Sequence, residues 1–170
     1  MRVLRPDVGE LVDRQTILQL KMEHGQSLDD PKKQVEYLKG DPDPAVNEDK
    51  VMRTVVKGAS KINIKPFHDE HEMIQRHLEE NWFPNIAADT ERQVKYDELF
   101  SALLEVNGQL WKLEDQARIL GDAPDKFQEI ATRRAAEVLF SITNLNDKRA
   151  DLVKQINALW NINSQEKMYA

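Results

Sequence analysis

Apolar side chains recur at alternating spacings of three and four residues through the C-terminal half of the chain. Leu99, Leu103, Val106, Leu110, Leu113, Ala117 and Leu120 form one run. Ala131, Ala135, Val138, Ile142, Leu145, Arg149, Leu152, Ile156 and Leu159 form the second. This spacing places each run on one helical stripe, so residues 90–162 read as a long antiparallel helical hairpin with a coiled-coil-like seam. Arg149 alone puts a charge into either stripe.

A first helix is expected over residues 7–24. Asp7 and Glu10 have capping-box spacing, and Leu4, Val8, Leu11, Leu18 and Met22 mark one face, widened by Val12 and Ile17. Gln15 stands where that face calls for an apolar residue, and Gly25 offers a C-terminal stop. Short helices follow from Pro31 to Gly40 and from Glu48 to Lys57, with residues 41–65 read as an irregular linker around Asp41-Pro-Asp-Pro. Met73, Ile74, Leu78 and Trp82 predict a further helix from about Asp69 to Phe83, stopped by Pro84. Thr90 with Gln93 repeats the capping-box signature at the start of the first hairpin arm, and Ala123-Pro124 opens the second.

The expected architecture is therefore all-α: one domain over residues 1–170, a long hairpin covered by an N-terminal helix and shorter helices in a bundle-like arrangement. At 1.5 Å per residue the two arms span roughly 46 and 57 Å, and the longer one overhangs near Trp160. That end is the expected dimer contact. Pairing Leu120 with Phe127 sets Glu114 and Asp115 opposite Arg133 and Arg134, and Arg149 beside Asp97 and Glu98.

Composition narrows the chemistry. With 170 residues, 32% charged and a net charge of −6, the chain has no overall attraction for nucleic acid or an anionic membrane. The absence of cysteine removes disulfides, thiol catalysis and cysteine-ligated zinc. Without a signal-like leader or an apolar run of membrane length, a cytoplasmic protein is expected. No Ser/His/Asp set, glycine-rich phosphate loop or dinucleotide fingerprint occurs, and no cofactor is called for.

Two side-chain groups retain chemical interest. His68, His71 and Glu72 occupy positions i, i+3 and i+4 of a helix and are the metal-ligand candidates. His68-Asp69 also resembles the His-Asp pair of all-helical metal-dependent phosphohydrolases, with His24 upstream and Asp89 or Asp97 downstream as the further ligands. The second group centres on Arg149: a guanidinium in a seam requires a carboxylate or an anion, with Asn144, Asn146 and Asp147 within about a turn. Lys50, Arg53, Lys57, Lys61 and Lys65 form a basic series, interrupted by Gly58 and read as a solvated face.

Three blocks carry a family resemblance. Gly9–Lys21 (GELVDRQTILQLK) resembles GELVDKxTILExK, and Asn107–Asp115 (NGQLWKLED) resembles NxxLWxIED. Asn144–Asn157 with the tail Gln165–Tyr169 resembles TNDxRAxLKxxIN followed by EEKSY. In that order they resemble a family of small bacterial and phage proteins known as a domain of unknown function. The resemblance implies a helical fold and no particular activity. Its polar positions, Glu10, Asp13, Lys21, Glu114, Asp115, Asn146, Asp147 and Arg149, suggest a polar or anion-binding cluster between the first helix and the hairpin. The functional expectation is a non-enzymatic interaction or scaffold module, a homodimer or the binder of another protein. The competing expectation is a metal-dependent phosphohydrolase of an all-helical type.

Overall fold

A computed structural model describes residues 6–27, 63–121 and 128–161. They form four α-helices: α1 (Val8–Ser27), α2 (Lys65–Asn81), α3 (Thr90–Gly121) and α4 (Gln128–Leu159), with a 3₁₀ turn at Phe83–Asn85 between α2 and α3. No strand occurs among the described residues. The all-α, bundle-like expectation holds. The two short helices expected between residues 31 and 57, and most of the 41–65 linker, lie outside the described residues.

The seam spacing puts α3 and α4 side by side, and α1 lies in the groove between them while also packing on α2. Val8, Val12 and Leu18 of α1 join Leu99, Leu103, Val106 and Leu110 of α3, and Leu152 and Ile156 of α4, in one buried cluster. From α2, Ile74 and Leu78 complete it. A helix offers one apolar stripe and must bury it against others, which is why a two-helix seam recruits a third and a fourth element.

Helix ends follow local chemistry. The Asp7–Glu10 capping box forms as expected: the Glu10 amide donates to Asp7 Oδ1 at 2.9 Å and the Asp7 amide to Glu10 Oε2 at 3.3 Å. The start of α3 differs by one residue from the Thr90–Gln93 expectation. Asp89 accepts the Arg92 amide at 3.1 Å, while the Gln93 side chain donates to the Ala87 carbonyl at 2.8 Å. Aspartate accepts from the backbone at least as well as threonine, so the adjacent carboxylate takes the cap. Helix α2 begins at Lys65, four residues before the expected start. Pro66 sits in its first turn, where a missing N–H costs nothing.

The far end of the hairpin is closed by aromatic rings, which changes the reading of Trp160. Helix α4 stops at Leu159, and Asn161 adopts φ 57°, the left-handed conformation that ends many helices. Trp160 then folds against Phe83 and Tyr96, its ring centroid 6.5 and 5.9 Å from theirs. Its indole N–H donates to the Trp82 carbonyl at 2.9 Å. Trp160 therefore packs within this chain, against the α2–α3 connection and the first turns of α3. The α2–α3 connection covers this end of the hairpin.

Candidate functional site

Arg149 faces α1. Its Nε donates to Asp13 Oδ1 at 2.9 Å and its Nη2 to Asp13 Oδ2 at 2.5 Å, a bidentate pair across the helix interface. Asn107 of α3 donates from Nδ2 to the same Oδ1 at 3.0 Å and to Thr16 Oγ1 at 2.8 Å. The Thr16 hydroxyl donates in turn to the Asp13 carbonyl at 2.8 Å. Four side chains from three helices thus form one network. Thr16 and Asn107 are buried, and the Asp13 and Arg149 side chains are 14% and 31% exposed.

This placement corrects the expected partners of Arg149, Asp97 and Glu98. The guanidinium is met at the level of Asn107, more than two helical turns further along α3, because α1 fills the groove and brings its own carboxylate. Asp13 holds the Arg149 pKa above the usual arginine value by hydrogen bonding, against the opposing effect of burial, with a smaller contribution from Glu114. Asp13 thus supplies the carboxylate that a guanidinium at this helix interface requires, and the pair clasps α1 to α4.

The other members of the expected cluster lie elsewhere. Glu10 is exposed and caps α1. Glu114 is exposed, and so are Asn146 and Asp147. Asp115 pairs with Arg118 on its own helix at 2.6 Å, and Arg133 lies 3.9 Å from Glu129 on its own. Lys21 places its ammonium 5.1 Å from the centre of the Phe67 ring, joining α1 to α2. Of the eight proposed residues, Asp13 and Arg149 bond directly within the network; sequence spacing identifies a helix face but not which face a third helix will occupy.

Two buried contributors were not singled out in the sequence. Asn107 is the hub of the clasp, and Asn157 accepts the Gly9 amide at 2.8 Å. Both neighbour seam positions, Val106 and Ile156, so an amide beside an apolar stripe marks them, and both are matched letters of the resembling blocks. Gln15, noted as a polar residue on an apolar face, is buried and bonds Gln75 of α2, which in turn donates to Glu79 at 2.7 Å. Beside it, Arg14 and Glu70 form a bidentate pair at 2.7 and 2.9 Å. Polar pairs therefore flank the apolar contact between α1 and α2.

The metal-ligand candidates do not assemble. His68 and Glu72 are an exposed pair at 3.8 Å along α2. Among the described residues no group of three His, Cys, Asp or Glu side chains is arranged to hold a metal ion. The phosphohydrolase pattern is also dispersed. His24 stacks on Trp111 with centroids 5.0 Å apart, roughly 21 Å along α3 from Asp97, while Asp89 caps the start of that helix. Lys65 bonds Asp69 at 2.6 Å; the rest of the basic series lies outside the described residues.

Burial against Trp111 lowers the His24 pKa, with Asp115 and Glu23 opposing and Lys112 assisting. A base whose folded pKa is depressed contributes stability above its unfolded value, near 6.5, and loses it as pH falls towards the folded value. The stability of the wild type is expected to drop below about pH 6.5, and His24→Gln should flatten that drop. Urea denaturation of both proteins between about pH 5 and 8 measures it. His71 shifts in the same direction, through burial and then His68, so the difference between the two proteins is the informative quantity.

Scanned against protein-family models, curated proteins and solved structures, the chain matches none of them.

Proposed function

We propose that this chain is a non-enzymatic helical interaction module that self-associates as a homodimer, of the kind suggested by its resemblance to the small bacterial and phage family. The observation that carries the reading is a contrast between interior and surface. The polar side chains gathered between α1, α3 and α4 are engaged with one another, whereas large apolar side chains stand on the outside of the hairpin. Leu139 and Phe140 of α4 are 57% and 70% exposed. Adjacent exposed apolar residues on a long rigid helix are the raw material of helix–helix recognition.

No helix among the described residues is long and apolar enough to cross a membrane. The competing phosphohydrolase reading lacks a convergent donor set within the described residues. Light scattering over a range of protein concentrations tests the proposal. A mass rising towards twice the 19.7 kDa chain supports it, and a monomer throughout overturns it.

A further inference from the structure

The outer face of α4 repeats the spacing of its inner seam. Arg133, Ala136, Phe140, Thr143 and Asp147 follow one another at 3-4-3-4 and are all exposed. This second stripe has an apolar centre and opposite charges seven residues to either side. We propose that it is the self-association surface, with α4 crossing α4 of a second copy antiparallel about Phe140. The inference rests on the dimer reading above and names its surface.

The charge pattern selects both the occupant and its direction. A two-fold axis through Phe140 makes the contact isologous and sets each residue opposite the position equally far on the other side. Phe140 then meets Phe140, and Arg133 meets Asp147 of the second copy, twice. A parallel pairing sets Arg133 against Arg133 and Asp147 against Asp147, and is disfavoured by like charge. Arg133 is available to turn, since its contact with Glu129 is long, at 3.9 Å, and both side chains are largely exposed.

Beyond this segment, Glu129 comes opposite Asp151, which ends the favourable contact. The stripe from 133 to 147 is roughly 21 Å long, so the interface belongs to the small, transient class and its affinity to the micromolar range. The ion pairs set direction and specificity, and the apolar centre supplies most of the attraction. Met73 and Val94 are also exposed, but each stands singly on another helix and offers no comparable pattern.

Sedimentation equilibrium on the full chain tests the surface. The wild type is expected to dimerise with Kd between about 1 μM and 1 mM. Phe140→Glu should raise that Kd by at least about tenfold while circular dichroism stays unchanged, because the side chain is outside the core. Arg133→Glu and Asp147→Arg should each weaken association about three- to tenfold, and the double variant R133E/D147R should recover to near wild type. A wild-type dimer indifferent to Phe140→Glu, or a double variant no tighter than the singles, overturns this surface and leaves self-association standing. A wild-type monomer at the highest concentration overturns both.

Discussion

Asp13→Ala is expected to destabilise the protein by about 2–4 kcal/mol, because it leaves the Arg149 guanidinium in a helix interface without its carboxylate. The lower part of the range for a broken buried pair applies, since Arg149 is 31% exposed and water reaches one side of it. The change also removes an acceptor from Asn107, so two donors on two helices lose a partner at once. For a chain of this length the melting temperature should fall by roughly 4–16 °C.

The companion measurement separates cost from benefit. Asp13→Leu with Arg149→Leu removes both charges together, and that pair of changes should cost far less than the sum of the single replacements. A buried ion pair is expensive to break but contributes little over a well-packed apolar pair. The clasp is therefore expected to act chiefly on register, holding α1 at one height against α3 and α4. A double-mutant cycle by chemical denaturation reads the coupling directly, and additive single effects would show that the pair has no such role.

Gly9→Ala should cost about 2–3 kcal/mol despite alanine's greater helix propensity. A Cβ at this position stands 2.7 Å from the Val153 carbonyl oxygen and 2.8 Å from Asn157 Oδ1. The first of these is backbone, so α1 must move away from α4, taking the bond from the Gly9 amide to Asn157 with it. Gly108→Ala supplies the control. Its Cβ meets only a Leu20 methyl at 3.8 Å, an ordinary contact, and the change should be neutral or stabilising by up to about 1 kcal/mol. Opposite signs at two helical glycines identify close approach, rather than propensity, as the reason glycine stands at position 9.

The seam residues and the Asp7–Glu10 cap were legible because they depend on short-range periodicity and local hydrogen bonding, which sequence spacing encodes. Gln15 was legible as an exception, although its partner on α2 was not. The position of Arg149 in the stripe showed that it needed a partner, yet the choice of Asp13 over Asp97 and Glu98 came from the third helix. Trp160 shows the same limit. Its place at the end of an arm suggested an interface, and the turn through Phe83 then brought Tyr96 and Trp82 against it.

The sequence by itself determined that this protein is all-α, where its long helices run and that one charge in the seam needs an answer. Those properties follow from a 3.6-residue period and from the cost of leaving a guanidinium unpaired. Only the tertiary structure decided that the answer is Asp13, that Gly9 and Asn157 bring α1 onto α4, and that the open apolar surface is the outer face around Phe140. Each of these depends on the rotation and height of one helix against two others. Spacing along a single helix leaves both undetermined, because they are set by how three surfaces pack at once.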